Sequence, residues 1–123
     1  MKFTALYVEP ANDNVTANVI FADPETNPDE PAVLMFSRSV EFPDSAYYFE
    51  INDQSFGRYG GLQKVRVTRG SLEVQLEPKV VAEFGNEDFA TVQVDFEIED
   101  ETYQAVLETL KAIFAGSDVL SVE

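Results

Sequence analysis

The stretch from residue 62 to residue 76 constrains the fold more than any other part of the chain, because its alternating apolar pattern fits one hairpin register. Arg69-Gly70 stands between the two alternating segments as a two-residue loop, in which glycine is free to take a positive φ. Apolar side chains then meet on one face of the hairpin, and a cation meets an anion on the other. The predicted cross-strand pairs are Val65 with Val74, Val67 with Leu72, and Arg66 with Glu73.

Period-two alternation of apolar residues predicts further strands on both sides of this hairpin. The clearest one runs from residue 90 to residue 98, and a continuous apolar run over residues 32–36 is typical of a central strand. Three prolines make residues 22–31 a loop, because proline cannot donate a hydrogen bond to a strand ladder. The other predicted strands cover residues 3–8, 15–21 and 47–52, with turns at residues 10–14 and 42–45.

Capping residues and apolar spacing predict two helices. Pro78 suits the first turn of a short helix, and Gly85 is a natural end for it. Apolar residues at spacings of three and one then form a single stripe over residues 103–114, which indicates an amphipathic helix. The acidic residues 99–101 would cap its N-terminus, and Gly116 would close it.

Together these elements predict an α+β fold, in which a mostly antiparallel β-sheet packs against one C-terminal amphipathic helix and one short helix. With 123 residues, of which 45% are hydrophobic, we expect residues 1–123 to form a single domain. No apolar run approaches the ~20 residues of a membrane span, and the N-terminus has no signal-peptide pattern. We therefore expect a cytoplasmic protein with no membrane partner.

The chain contains neither cysteine nor histidine. Disulfides and thiol catalysis are therefore excluded, and so are the commonest general base and the commonest transition-metal ligand. The acidic spacing that begins at Asp23 is similar to a calcium loop, but Pro28 stands where that loop needs glycine and Leu34 where it needs glutamate. We predict no catalytic residue, no metal site and no cofactor.

Charge is the strongest signal in the composition, because 23 acidic and 8 basic residues give a net charge of −15. Residues 1–57 carry −8, residues 58–79 carry +3 and residues 80–123 carry −10. Such a field repels nucleic acid and attracts basic partners, so we expect a basic protein partner and no nucleic acid. Acidity that serves only solubility is the alternative, and composition leaves both interpretations open.

Tyr48, Glu50 and Asn52 alternate with the apolar residues of their strand and form a candidate recognition face. For Glu50 the favoured interpretation is instead a surface ion pair with Lys64 or Arg66 on a neighbouring strand, which would contribute little to stability.

After residue 52 the chain is predicted to enter a polar loop, the kind of segment in which binding residues are common. Structural roles are the alternatives there: Asp53 would bond backbone amides in a turn, and Gln54 would tie the loop to a strand. The cations of residues 58–79, Arg58 among them, are expected to form internal ion pairs rather than an anion site. The predicted partner-binding residues are Tyr48, Glu50, Asp53, Gln54, Arg58 and Tyr59.

Two short motifs and the order of the elements resemble the immunity protein 10 family. The motifs are Glu50-Ile51-Asn52-Asp53-Gln54 and, after a short linker, Tyr59-Gly60-Gly61, followed by the hairpin, a short helix, a strand and a long helix. The resemblance covers residues 46 to 115. It implies an antitoxin, encoded beside bacterial polymorphic toxins, that binds and neutralises a cognate toxin domain without catalysis of its own.

A toxin with a basic surface would match this acidic chain, and a nuclease is the natural candidate because nucleic-acid enzymes carry positive clefts. The first alternative is an acidic DNA mimic that blocks DNA-binding proteins generally. A weaker alternative is a hydrolase or small-ligand protein that uses carboxylates and a divalent cation. The sequence leaves open which toxin is bound and what the oligomeric state is.

Overall fold

A computed structural model describes residues 1–42 and 44–123 of the chain. The described residues form ten β-strands, two α-helices and one 3₁₀ turn over Glu87–Phe89. The strands are β1 (Lys2–Thr4), β2 (Tyr7–Asn12), β3 (Thr16–Asp23), β4 (Ala32–Ser39), β5 (Tyr48–Ile51), β6 (Asp53–Tyr59), β7 (Leu62–Val67), β8 (Ser71–Leu76), β9 (Thr91–Asp95) and β10 (Leu120–Val122). The helices are α1 (Pro78–Phe84) and α2 (Asp100–Ile113).

The strands form two five-stranded sheets. The antiparallel sheet has the order β2-β3-β4-β5-β6, and the mixed sheet has the order β1-β9-β8-β7-β10. In the mixed sheet β1 pairs with β9 and β10 pairs with β7 in parallel, while every other pairing is antiparallel. The predicted α+β class, with mostly antiparallel strands and a C-terminal helix, is therefore confirmed, and the strands are divided between two sheets.

The hairpin formed by β7 and β8 has the predicted register, with Val65 opposite Val74 and Arg66 opposite Glu73. Its two-residue loop is also confirmed, because the amide of Thr68 donates to the carbonyl of Ser71 at 2.8 Å. The positive φ expected at Gly70 is wrong. The carbonyl of Gly70 accepts a hydrogen bond from the amide of Phe96 at 3.0 Å, so the loop also contacts the segment after β9.

The predicted first strand, over residues 3–8, is wrong as a single strand. The amide of Ala5 donates to the carbonyl of Asp95 in the mixed sheet, and the next amide, that of Leu6, donates to the carbonyl of Ala22 in the antiparallel sheet. The chain therefore changes sheets between these two residues, which explains why both faces of this segment are apolar. The turn predicted at residues 10–14 is shorter than expected, because β2 continues to Asn12 and keeps proline on an edge strand.

Other observed strand boundaries also differ from the predicted ones. The central strand predicted over residues 32–36 is confirmed and extends as β4 to Ser39 between β3 and β5. The strand predicted over residues 90–98 is shorter, because only the residues of β9 pair with β8, and β1 pairs with the last three of them. Within the turn predicted at residues 42–45, Pro43 lies outside the described residues. The last strand, β10, was not predicted.

Both helices begin and end near the predicted residues. Pro78 is the first residue of α1, and Gly85 closes it with a φ of 67°. The N-terminal cap predicted for α2 is only partly right, because Glu99 makes no side-chain cap hydrogen bond, although Asp100 and Glu101 supply negative charge to the first turn. At the other end of α2, Arg38 donates hydrogen bonds to backbone carbonyls that have no partner within the helix.

The guanidinium of Arg38 reaches from β4 to the C-terminus of α2. Its Nη1 donates to the carbonyl of Ala115 at 2.6 Å and to that of Ile113 at 3.2 Å, while Nε donates to the carbonyl of Ser45 at 3.0 Å. Carbonyls in the last turn of a helix have no intrahelical partner, and a cation is favoured there. This side chain therefore fixes the end of α2 to the antiparallel sheet.

The buried hydrophobic residues form one cluster that both sheets and both helices share. Aromatic contacts link its parts: Phe114 of the α2 C-cap lies 5.4 Å from Phe36 and 4.9 Å from Tyr47 between ring centroids. Phe21 of the antiparallel sheet also lies 5.8 Å from Phe96, which follows β9. The apolar stripe of α2 faces this cluster, and Leu110 is fully buried in it.

We expect the substitution Leu110→Ala to lower the free energy of unfolding by ~2–5 kcal/mol, because it leaves a cavity at a site with no solvent exposure. Urea denaturation followed by circular dichroism measures this change. Glu108→Ala, on the exposed side of the same helix, is the matched control and should change stability by less than ~0.5 kcal/mol. Equal effects of the two substitutions would contradict the packing of α2.

Candidate functional site

The antiparallel sheet has an inner face buried against the core and an outer face turned away from it. Along β3 the side chains alternate strictly between buried and half-buried positions, and the pairing registers carry that alternation across the sheet. The outer face contains two cross-strand rows that run the full width of the sheet. One row is Glu9, Ile20, Met35, Glu50 and Gly57; the next is Ala11, Asn18, Ser37, Tyr48 and Tyr59.

This outer face exposes aromatic side chains at opposite edges. Tyr59 on β6 is 72% exposed and Tyr7 on β2 is 47% exposed, whereas the inner-face residues Phe21, Phe36 and Phe49 have no exposure. Tyrosine combines a large apolar ring with a polar hydroxyl, and such residues are enriched at protein interfaces. The outer face is therefore the candidate recognition surface.

The segment from Asp53 to Tyr59 was predicted as a loop, and this prediction is wrong: it forms the edge strand β6. Asn52 alone makes the turn from β5, with a φ of 67° that asparagine tolerates better than most residues. Its Oδ1 accepts a hydrogen bond from the amide of Val33 at 3.0 Å, and its own amide donates to the carbonyl of Val33 at 2.9 Å. These two bonds hold the turn against β4.

Three of the predicted site residues, Tyr48, Glu50 and Tyr59, lie together on the outer face. The hydroxyl of Tyr48 donates to Oε1 of Glu50 at 2.7 Å, and the rings of Tyr48 and Tyr59 lie 5.0 Å apart between centroids. The hydrogen bond to Glu50, together with burial, raises the pKa of Tyr48 to about 12. At neutral pH this phenol is therefore a stable donor to the carboxylate.

Gly57 makes this arrangement possible. It lies opposite Glu50 in the register, and the Tyr48 side chain leans across the space that a side chain at this position would fill. A Cβ built on Gly57 would lie 2.3 Å from the Tyr48 hydroxyl and 2.8 Å from Cγ of Glu50. Any larger residue at this position must therefore displace one of the two partners.

The ion pair favoured for Glu50 from the sequence is wrong. Glu50 is in the antiparallel sheet, whereas Lys64 and Arg66 are on β7 of the mixed sheet. Arg66 pairs instead with Glu123, with Nε 2.6 Å from Oε2, and this cation lowers the pKa of the Glu123 carboxyl. The carboxylate of Glu50 is held by a neutral phenol rather than by a cation.

The remaining predicted residues lie elsewhere. Asp53 is at the start of β6, where its Oδ1 accepts a hydrogen bond from the amide of Ser55 at 2.7 Å. A bond to a backbone amide is the structural role that the sequence offered as the alternative to binding. Gln54 is exposed beside it. Arg58 is on the opposite face from its neighbour Tyr59 and pairs with Glu83 of α1. Its expected internal ion pair is confirmed, and it does not belong to the outer-face cluster.

Most other cations of residues 58–79 are also paired within the chain. Arg69 contacts Asp100, with Nη2 2.7 Å from Oδ1, and its guanidinium lies 4.9 Å from the ring centre of Tyr103. Lys79 lies 3.8 Å from a carboxylate oxygen of Glu77. Internal pairing therefore neutralises most of the positive charge that the sequence concentrates in this segment.

An acidic groove of about 800 Å³ lies between the ends of the two sheets, next to the Asn52 turn. Its acidic lining comes from three separate segments and includes Asp29, Glu30, Asp53 and Asp88. Of these, the sequence predicted a binding role only for Asp53 and gave no sign of Asp88, because nothing in the sequence places the 3₁₀ turn beside the proline-rich loop.

Asp23, which begins the acidic spacing weighed as a calcium loop, is the buried last residue of β3 and caps the turn that follows it. A side-chain hydrogen bond from Thr26 is the largest cause of its lowered pKa, and its Oδ1 also accepts from the amides of Glu25 and Thr26 at 3.1 Å. Among residues 1–42 and 44–123, no group of three or more acidic side chains is arranged to hold a metal ion.

Sequence reasoning also missed the apolar centre of the outer face. Ile20 and Met35 are half-buried partners in the row that leads to Glu50. The period-two pattern was the available signal, because it places Ile20 and Met35 on the opposite face from their buried neighbours. Only the strand order shows that they are continuous with the Tyr48 and Glu50 pair.

The fold and this face define a class: an α+β protein with an exposed, aromatic and acidic surface on one sheet. A model of the family described as Immunity protein 10 matches residues 2–104, and the chain belongs to that family. The match extends the resemblance over residues 46 to 115 towards the N-terminus, to residue 2, and it ends inside α2. No curated protein and no solved structure matches the chain. In the described parts of the chain, neither helix has the length and apolar composition to cross a membrane.

We expect the phenol of Tyr48 to titrate near pH 12, because ionisation would break its hydrogen bond to Glu50 and place two negative charges side by side. Its folded pKa lies above the ordinary value of 10.0, so the stabilisation from this bond is fully present below pH 10 and is lost as the pH rises through 12. Carbon-13 NMR of the tyrosine Cζ atoms measures the midpoint. In Glu50→Gln the Tyr48 midpoint should move towards 10, and an unchanged midpoint would contradict the assigned cause.

Proposed function

We propose that this protein is an antitoxin that binds one cognate toxin domain and occludes its active site without catalysis of its own. Membership of the Immunity protein 10 family supports the immunity role. Residues 1–123 would act as one binding domain, in the cytoplasm where the toxin is neutralised. The bound toxin domain would present a basic surface.

The observation that carries this proposal is the outer face of the antiparallel sheet. It brings the exposed ring of Tyr59 beside the Tyr48 and Glu50 pair and continues into the half-buried Ile20 and Met35. Aromatic anchors on a rigid sheet bind with little loss of conformational entropy, which is typical of residues that dominate an interface.

An interface of ordinary size buries about 1,600 Å² in total, so the Tyr48 cluster would be only its centre. The acidic groove extends the surface in one direction, because Asn52 and Asp53 belong to the groove lining and directly follow β5. Asp29 and Glu30, which also line that groove, would then lie at the rim. Rim charges steer association rather than hold the complex together.

Charge supports a basic partner, and a nuclease is the toxin class that fits best. A net charge of −15, with most cations of residues 58–79 paired internally, leaves a field that attracts a positive cleft. Enzymes that act on nucleic acid carry such clefts because they bind phosphates.

Co-expression tests the proposal directly. Any toxin-sized reading frame found directly upstream of this gene would be expressed in a bacterial host with and without this chain, and growth would be scored. Rescue by this chain, together with a stable complex in solution, is the expected result. Growth arrest that this chain does not relieve would refute the antitoxin role. Binding to several unrelated basic proteins with similar affinity would indicate a DNA mimic instead.

We expect two kinds of substitution to change different rate constants of the complex. Neutralising the rim charges with Asp29→Asn and Glu30→Gln should slow association and flatten its salt dependence while dissociation stays nearly unchanged. Tyr59→Ala should speed dissociation, with a loss of ~2 kcal/mol or more in binding free energy, as expected of an anchor that the partner buries. Surface plasmon resonance at two salt concentrations measures both. A folded Tyr59→Ala variant that binds like wild type would place the recognition surface elsewhere.

A further inference from the structure

The Tyr48, Glu50 and Tyr59 cluster has the composition of a receptor for a cation. It combines one carboxylate with two aromatic rings, all on the outer face. None of the ion pairs formed among the described residues involves Glu50, although Lys2, Arg58, Arg66, Arg69 and Lys79 all have acidic partners. The carboxylate of Glu50 is bonded instead by the phenol of Tyr48.

The Tyr48 hydroxyl occupies only one oxygen of the Glu50 carboxylate, Oε1. A hydrogen bond donated to a carboxylate makes the donating ring richer in electrons, which favours a cation near that ring. The exposed ring of Tyr59 lies beside it and offers a flat apolar surface. A planar guanidinium fits both parts better than an ammonium does, because it stacks on an aromatic ring and bonds a carboxylate in the same plane.

We propose that Glu50, Tyr48 and Tyr59 form the receptor for one arginine side chain of the bound toxin. The guanidinium lies against the Tyr59 ring and pairs with the Glu50 carboxylate, which Tyr48 holds in place. This assignment rests on the proposed function, since it names the chemistry that the partner presents to the outer face. The −15 charge of the chain brings a cationic partner towards this surface.

Gly57 is a positioning residue for this receptor. The missing side chain leaves the space into which Tyr48 leans, and a Cβ there would lie 2.3 Å from the hydroxyl. Gly57→Ala therefore removes none of the three receptor groups but forces the Tyr48 and Glu50 side chains to move. A role in recognition predicts weaker binding by this variant together with a Tyr48 pKa that moves towards 10.

A matched pair of substitutions separates local recognition from the overall field. Glu50→Gln and Glu9→Gln each remove one negative charge from the outer face, in the same cross-strand row, and only Glu50 contacts Tyr48. Isothermal titration calorimetry against the purified toxin domain should show a loss of affinity of about tenfold or more for Glu50→Gln. Glu9→Gln should lose no more than about twofold. Equal losses for the two variants would overturn the receptor.

A second measurement does not depend on the toxin. Nitrogen-15 NMR of the protein would be recorded during titration with N-acetyl-arginine amide and, separately, with the uncharged N-acetyl-citrulline amide. Arginine should shift the amide signals of Tyr48, Glu50 and Tyr59, and Glu50→Gln should abolish those shifts. Shifts that are absent, or that are equal for citrulline, would refute the arginine receptor.

These outcomes distinguish the two proposals. If the wild-type chain does not bind the toxin domain, the proposed function fails, and the NMR titration alone decides whether the receptor exists. If the wild-type chain binds but Glu50→Gln binds equally well, the antitoxin role stands and the receptor fails. Circular dichroism melts of each variant confirm that a lost interaction is not a lost fold.

Discussion

The packing of α2 against the inner face of the antiparallel sheet is the interaction on which the rest of the structure depends. Leu110 is fully buried there, and Phe114 makes edge-to-face contacts with Phe36 and Tyr47 at the end of the helix. The guanidinium of Arg38 then satisfies carbonyls that the helix leaves unbonded. Because this packing takes up the inner face, the sheet presents its other face outward, and that face carries the candidate site.

Local patterns predicted the parts of the fold whose contacts are close in sequence. The β7–β8 hairpin, both helices and the Gly85 stop all came from spacing and turn chemistry. The division into two sheets could not be predicted in this way, since it is set by pairings between distant segments, such as β1 with β9 and β10 with β7. A three-residue strand such as β10 is also too short to show a period. The apolar faces of residues 3–8 were a signal of the change of sheet, but one strand covered on both sides explains the same pattern.

The candidate site was predicted in part for the same reason. Alternation along β5 put Tyr48 and Glu50 on one face, and the structure confirms it. The next segment was mistaken for a loop because edge strands carry polar residues and glycine, which also mark loops. Strand geometry then decides the roles of two sequence neighbours: Arg58 faces α1, and Tyr59 faces outward. A loop would have allowed both side chains to reach one partner.

This alternation connects stability to recognition. The pairing of Arg58 with Glu83 fastens β6 to α1 from one side, and the same strand then holds the Tyr59 ring beside Tyr48 on the other. The strand is also fixed at its start, where Asn52 binds the backbone of β4 through both its amide and its side chain. An edge strand held at both ends presents its outer side chains in one arrangement, so little conformational entropy is lost when a partner binds. On the proposed function, the Arg58 pair would therefore serve recognition indirectly, because it holds β6 in place while the outer-face carboxylate of Glu50 keeps a neutral partner, the phenol of Tyr48.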